Sequence, residues 1–303
     1  MQNKQDHFEN QSSETKPEEA LVAVSVGNHT RLGDVLEYAV SGLTFETVET
    51  DDFLRGIWKN RRILFTISAD ATGENARLRA LAAGLCSGAT LLDGCVCAAL
   101  ADGASGGEAR LDTIRLLLAA NYAGASVIAQ PLLEGGRELK PFSGGKETPF
   151  ERYRMRARTL VVRLSTDAPK VSARARVRFL TTLEGGAAFD WRGFLARLVA
   201  QAGGEMEDIG TPDETILLCE NSAGLPDEKT LSLLSGSGLL RLLIASPATG
   251  SALFAACLLA RACLRGIHVL PPRAVLVFEG MSAVDAMASK TEMERVKSTL
   301  LNE

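Results

Sequence analysis

Aromatic side chains and histidine are scarce in this chain. Only 5% of its 303 residues are aromatic, and its three histidines are His7, His29 and His268. Because there are only three histidines, metal sites rich in imidazole ligands are excluded. The shortage of aromatic side chains also limits the surfaces on which a flat ligand could stack.

The six cysteines form neither a disulfide framework nor a zinc-binding pattern. Cys95 and Cys97 lie in an apolar run, Cys257 and Cys263 lie in an apolar helical pattern, and the other two, Cys86 and Cys219, stand alone. Such cysteines are typical of small buried residues in a reducing compartment. We therefore expect all six to be buried thiols.

The chain lacks a long apolar run and an excess of positive charge. Its most apolar stretch, "SALFAACLLARACL", is interrupted by Arg261 and is shorter than the roughly 20 residues that cross a bilayer. The N-terminus is polar, so no secretory signal is expected. A net charge of −4 offers no basic footprint for nucleic acid. These features predict a cytoplasmic protein that binds neither nucleic acid nor a membrane.

Short β-branched runs alternate with helical patterns from residue 20 onward. In "NARLRALAAGL", for example, Leu78, Leu81 and Leu85 share one helical face. This alternation predicts a parallel sheet covered by helices on both faces, and five strands with five helices suit the order 2-1-3-4-5. The predicted strands are 21–27, 45–50, 62–68, 94–102 and 126–131.

The same succession of elements repeats after a predicted linker at 165–173. Five further strands are predicted from "RVRFLTTLE", "EMEDIG", "TILLCEN", "LLRLLIASP" and "RAVLVFEG". Helices are predicted at 189–202, 227–236, 250–266 and 282–300. The predicted fold is therefore α/β, a doubly wound parallel five-stranded sheet whose pattern recurs in a second α/β domain. The predicted parts are a disordered tail at 1–19, a first domain at 20–165 and a second domain at 174–303, in which the ligand site could have degenerated.

The segment "SVGNHTR" links the first predicted strand to the first predicted helix. In doubly wound sheets, ligands bind at the carboxyl ends of the strands where the strand order reverses, and this segment lies at that point. Gly27 permits close backbone approach, Asn28 and Thr30 carry polar hydrogens, and Arg31 adds positive charge at a helix N-terminus. The segment therefore suits an anionic small molecule. Alternatively, Thr30 only caps the helix.

"SVGNHTRLGDVL" resembles the phosphate loop of flavodoxins, Ser/Thr-x-Thr-Gly-Asn-Thr, when His29 is counted as an insertion. The loop "SADATGENARL" echoes that pattern with Thr72-Gly73. Over residues 20–165 the predicted strand order also resembles the NADPH-dependent FMN reductases of the flavodoxin-like superfamily. This resemblance implies FMN as cofactor, NADPH as hydride donor and a homodimer. The cofactor-binding residues implied are Ser25, Gly27, Asn28, Thr30, Arg31, Ser68, Thr72, Gly103 and Ser105.

Two other interpretations remain open. The segment after the fourth strand, 103–107, contains no aromatic residue where these reductases place one under the flavin, and Asp70 and Glu74 would repel a phosphate. A non-catalytic tandem α/β module that binds a small anionic ligand or a protein partner fits these departures. Asp70 and Asp102 could instead hold Mg²⁺ in a hydrolase, or serve only as a helix cap and a turn residue.

The two interpretations of Thr30 predict different variants. If the segment holds the FMN phosphate, Thr30→Ala and Asn28→Ala should each weaken FMN binding by about 1.5–3 kcal/mol, the cost of losing a hydrogen bond to a charged group. If Thr30 is only a cap, Thr30→Ala should lower stability by about 1 kcal/mol and leave ligand affinity intact. Fluorescence titration with FMN and thermal unfolding measure the two effects separately.

Overall fold

The computed structural model describes residues 21–27, 31–68, 76–88, 91–102, 108–135, 149–166, 174–207, 212–221, 239–247, 271–278 and 280–301. The strands are β1 (Leu21–Val26), β2 (Phe45–Glu49), β3 (Arg62–Ser68), β4 (Val96–Asp102), β5 (Ser126–Gly135), β6 (Arg176–Thr181), β7 (Glu205–Met206), β8 (Glu214–Asn221), β9 (Leu239–Pro247) and β10 (Val275–Val277). The helices described are α1 (Arg31–Ala39), α2 (Thr50–Arg55), α3 (Ala76–Cys86), α4 (Glu108–Tyr122), α5 (Pro149–Thr166), α6 (Gly185–Gln201), α7 (Ala283–Ala288) and α8 (Lys290–Leu301).

The first five strands form a parallel sheet in the order β2-β1-β3-β4-β5. Every residue of β1 and of β4 is buried. Because both faces of these strands are covered, their sequences are nearly continuous apolar runs and do not alternate between polar and apolar residues. The edge strand β2 is mostly exposed and carries charged side chains. The predicted order of the first sheet is confirmed.

The second sheet repeats this topology. Its order is β10-β9-β8-β6-β7, again with every pairing parallel, so the strands counted within this half also follow 2-1-3-4-5. The prediction of a recurring doubly wound sheet is confirmed. The predicted tail at 1–19 and the predicted helices at 227–236 and 250–266 lie outside the described residues, as does most of the predicted linker. The boundaries of the two domains stay a prediction.

Three elements differ from the sequence prediction. Strand β5 continues to Gly135, four residues beyond its predicted end at 131. The continuation was hidden by an irregularity: Cys97 pairs with Val127 but Ala99 pairs with Leu132, and Gln130 has a φ of 47°. Pro131 lacks the N–H that a regular ladder needs, and an edge strand tolerates such a bulge.

The other two differences concern helices. Helix α2 has six residues, too few for a periodic apolar pattern to predict it. The C-terminal pattern predicted as one helix is two, α7 and α8, separated at Ser289. None of the helices that the structure describes is long and apolar enough to cross a membrane.

Helices α3 and α4 belong to a hydrophobic cluster that also includes both sheets. It contains Leu81 and Leu117 from the helices, Phe65 from the first sheet, and Leu217 and Leu243 from the second. The opposite faces have separate cores. Helices α1 and α5 cover the other face of the first sheet, and α6, α7 and α8 cover the other face of the second. The two sheets are thus connected through one continuous apolar core.

A polar junction joins the two halves at the end of α4. The fully buried Asn121 donates from Nδ2 to the carbonyl oxygens of Ala125 (3.0 Å) and Pro271 (2.8 Å). The backbone carbonyl oxygen of Asn121 accepts from the backbone N–H of Arg273 at 3.0 Å. The Arg273 side chain in turn pairs with Asp93 at 2.9 Å. These contacts fix the start of β10 against the turn after α4.

A buried ion pair holds the C-terminal helix to the second sheet. Arg241 and Glu214 are 4% and 2% exposed, and the Arg241 Nη1 lies 3.0 Å from the Glu214 Oε2. Arg241 also donates from Nη2 to the Leu300 carbonyl oxygen in α8, 3.3 Å away. Because Thr215 pairs with Leu240 and Ile216 pairs with Leu242, Arg241 is the extra residue of a bulge in β9.

Replacing Asn121 tests the junction. Asn121→Ala leaves two buried carbonyl oxygens without their donor, and each unsatisfied buried group costs about 1–3 kcal/mol. We expect the free energy of unfolding to fall by about 2–4 kcal/mol, measured by urea denaturation. The matched control is Tyr122→Phe, a substitution at the neighbouring, exposed residue. It should change the free energy of unfolding by less than about 0.5 kcal/mol. Equal stability of the two variants would contradict this role for Asn121.

Candidate functional site

The carboxyl ends of β1, β3 and β4 form one edge of the first sheet. Val26 is the Cα partner of Ile67, and Ser68 is the partner of Asp102. The strand order reverses between β1 and β3, so this edge contains the switch point at which doubly wound sheets bind ligands. Ser25, Gly27 and Ser68, which the sequence predicted as cofactor-binding residues, lie together at this edge.

Small polar residues at this edge share one face of the sheet. Leu64 packs into the cluster with α1 and α5, and alternation along β3 places Thr66 and Ser68 on that same face. Ser25 is the Cα partner of Thr66, and Asp102 is the partner of Ser68, so both follow the same alternation. At this edge, the face of the sheet that α1 covers therefore carries three hydroxyl groups and one carboxyl group.

Hydrogen bonds between side chains and strand carbonyls hold the edge in place. Thr50 Oγ1 donates to the Ser25 carbonyl oxygen at 3.0 Å, and Thr66 Oγ1 donates to the Val24 carbonyl oxygen at 3.1 Å. Tyr153 donates its hydroxyl from α5 to the Ala101 carbonyl oxygen at 3.1 Å. All three donors are buried, so these bonds are shielded from water and hold the strand ends in fixed positions.

The chain turns sharply where β1 ends. Gly27 has a φ of 100°, a conformation that side-chain-bearing residues rarely adopt. Helix α1 then begins at Arg31. The first turn of a helix carries N–H groups with no partner inside the helix and a partial positive charge. A strand, a glycine with positive φ and a helix N-terminus in succession can accommodate an anion.

Acidic side chains mark the other end of the edge. Asp102 is 5% exposed at the end of β4, and Glu134 lies near the end of β5, where Arg110 of α4 pairs with its Oε2 at 2.6 Å. The Asp102 carboxylate disfavours a phosphate beside β4, so an anion is best placed at β1. Among the described residues, no three His, Cys, Asp or Glu side chains are grouped to hold a metal ion.

The predicted cofactor site is therefore described only in part. Arg31 begins α1, but its side chain lies outside the description. Asn28, Thr30, Thr72, Gly103 and Ser105 lie outside the described residues, as does Asp70. The sequence prediction missed Thr66 and the hydrogen bond that the Tyr153 hydroxyl makes at the end of β4. Thr66 could have been noticed as a polar residue inside the apolar run "RILFTIS", whereas the position of Tyr153 depends on how α5 packs.

The corresponding edge of the second sheet has different chemistry. Glu220 lies at the end of β8, and its Oε2 accepts the Ala283 N–H at 2.8 Å. Thr182 Oγ1 accepts the Glu220 N–H at 2.8 Å. The Glu220 carboxylate and the Thr182 hydroxyl therefore both accept backbone N–H groups of the protein.

The prediction that the cysteines are buried holds for three of the four that are described. Cys95, Cys97 and Cys219 are buried, and burial raises the pKa of the Cys97 thiol. For Cys86 the prediction is wrong, because this residue is exposed at the C-terminus of α3. Even so, partial burial of its thiol raises the pKa of Cys86. Cys86 is the last residue of α3, at the point where the helix no longer packs against the core.

Comparisons of the chain with protein-family models, curated proteins and solved structures found no match. Any assignment of function to this edge therefore depends on its own geometry and chemistry.

Two glycines near the edge provide a direct test of its backbone. Gly27→Ala places a side chain at positive φ, which costs about 1–3 kcal/mol. In α1, a Cβ on Gly33 would meet no atom within 4 Å, so Gly33→Ala should stabilise the protein by about 0.5–1 kcal/mol. Chemical denaturation should thus shift in opposite directions for the two variants. A Gly27→Ala variant as stable as the wild type would show that the turn needs no glycine.

Proposed function

We propose that the chain binds FMN at the β1/β3 edge of its first sheet and acts as an NAD(P)H-dependent flavin oxidoreductase. The observation that carries the proposal is the switch point itself. There a fully buried strand ends in a glycine with positive φ, and α1 begins four residues later. The resemblance of "SVGNHTRLGDVL" to a flavodoxin phosphate loop supports the same assignment.

The described residues fit the phosphate half of FMN. Gly27 has no side chain to block a phosphate, and the nearby Ser25 and Ser68 have small hydroxyl side chains. The helix N-terminus supplies N–H donors to an anion. Asp102 disfavours a second position beside β4, and this would orient the phosphate toward β1. FMN, when bound, would supply the hydride and electron transfer, so the chain itself needs no nucleophile.

Comparing FMN with riboflavin tests this proposal. The two ligands differ only in the phosphate, so a phosphate-binding edge should bind FMN at least about tenfold more tightly, equivalent to about 1.4 kcal/mol. The measurement is quenching of flavin fluorescence by the purified protein, followed by NADPH oxidation in the presence of bound FMN. Asn28→Ala should weaken FMN binding and leave riboflavin binding unchanged.

Two results would contradict the proposal. Absence of quenching at micromolar protein would exclude a flavin site. Equal affinity for FMN and riboflavin would exclude phosphate recognition at this edge. Quenching without NADPH oxidation would support binding but contradict the reductase activity.

One observation favours a second candidate, a non-catalytic module for a small anionic ligand. The ends of β1, β3, β4 and β5, as far as they are described, carry no aromatic side chain on which a flavin ring could stack. This candidate predicts that an anionic metabolite other than FMN raises the melting temperature. A ligand at a hundredfold excess over its Kd adds about 2.7 kcal/mol to the apparent stability.

A further inference from the structure

A cleft of about 750 Å³ opens where the two halves meet, beside the Asn121 junction. It lies against the C-terminal ends of α3 and α4 and the start of β10. Helices in this fold run back from the carboxyl ends of the strands, so the cleft is at the opposite edge of the first sheet from Gly27. Cavities of this size at the contact between two units are typical of small-molecule sites.

The two walls of the cleft have different chemistry. The wall formed by the first half is apolar and presents Leu91 and Tyr122, each of which is 54% exposed. The wall formed by α8 is polar and charged, and it presents Lys290, Thr291, Glu294, Arg295 and Ser298. A ligand between these walls would contact apolar atoms on one side and a cation with hydroxyl groups on the other.

The cleft continues into a narrower slot of about 300 Å³ that shares Tyr122 and Val275 with it. The slot runs between α3 and α4, and alanines and Leu118 form much of its lining. Cys86, an exposed residue at the C-terminus of α3, also lines the slot. An apolar group that entered from the cleft would be buried here, and each buried CH₂ contributes about 0.8 kcal/mol.

The charges of the cleft leave one cation without a counter-ion. Arg273 pairs with Asp93 at 2.9 Å, and Glu294 pairs with Lys297 at 3.8 Å. Arg295 pairs with Glu292. Lys290, by contrast, makes no ion pair with any residue in the described part of the chain. The site therefore complements a ligand with a single negative charge.

We propose that this cleft binds an amphiphilic monocarboxylate, with its carboxylate at Lys290 and its apolar part between α3 and α4. Apolar surface in the slot supplies most of the affinity, and the exposed Lys290 selects the charge. The site is separate from the β1/β3 edge, so occupancy of one is independent of FMN at the other.

Alkylation of Cys86 reports occupancy of the slot directly. The full-length protein is treated with iodoacetamide at about pH 8.5, near the ordinary pKa of a thiol, and the Cys86 peptide is quantified by mass spectrometry. The probe is 1-naphthoate, and 1-naphthalenemethanol is its neutral counterpart. At ten times its Kd, 1-naphthoate should slow alkylation of Cys86 about tenfold. The buried Cys95 and Cys97 should stay unalkylated throughout and would report any unfolding of the protein.

Two pairs of variants separate the parts of the site. Ala83 lines the slot and Ala80 does not, yet both are exposed on α3. Ala83→Glu should therefore weaken 1-naphthoate binding at least about tenfold, with Ala80→Glu as the unaffected control. Lys290→Gln should weaken 1-naphthoate binding about two- to fivefold, as expected for the loss of an exposed charge pair. The matched control is Lys59→Gln, an exposed lysine that does not line the cleft.

Specific outcomes would overturn the proposal. Alkylation of Cys86 that stays unchanged in millimolar 1-naphthoate would exclude the site. Equal protection in Ala83→Glu and Ala80→Glu would place the probe elsewhere. Equal affinity of the wild type for the neutral alcohol, or no effect of Lys290→Gln, would refute selection of an anion. Each of these measurements is made on protein without added flavin, so its outcome does not depend on the test with FMN.

Discussion

The side-chain amide of Asn121 is the contact on which the relation of the two halves depends. It satisfies two carbonyl oxygens, one in its own turn and one at Pro271, and its backbone carbonyl accepts a third bond from Arg273. All of this occurs out of water, where an unmade hydrogen bond costs more than a made one contributes. No apolar side chain could replace an amide that serves two acceptors at once.

Around this junction, the apolar core stabilises the contact between the two halves but does not define their relative position. Hydrophobic contact between α3, α4 and the second sheet is largely non-directional, so by itself it would permit the sheets to slide. Hydrogen bonds at Asn121 and the Arg273–Asp93 pair define one position. The cleft beside them follows from this arrangement, because the ends of α3 and α4 and helix α8 approach at the junction without filling the space between them.

Two sheets with the same topology carry different chemistry at their edges. The first ends in Ser25, Gly27 and Ser68, and the second ends in a carboxylate, Glu220, that bonds to the backbone of α7. Topology places a switch point in each sheet, but side chains decide what that point can bind. In the second sheet the available polar groups stabilise the fold, whereas in the first they surround the start of a helix.

The sequence by itself determined the fold class and nearly every described strand. Buried parallel strands are recognisable as local runs of β-branched residues, and helices are recognisable by the local periodicity of their apolar residues. The sequence also predicted that Ser25, Gly27 and Ser68 lie at the ends of strands, as they do in the structure, since position at a strand end is a local property. It missed the continuation of β5 past Pro131, the exposure of Cys86 and the role of Asn121. Each of these depends on residues far away in the chain: Ala99 on the neighbouring strand, the end of the packed surface of α3, and Pro271 across 150 positions. Only tertiary structure brings such partners together, because a hydrogen bond or a cleft between distant segments leaves no periodic signal in either of them.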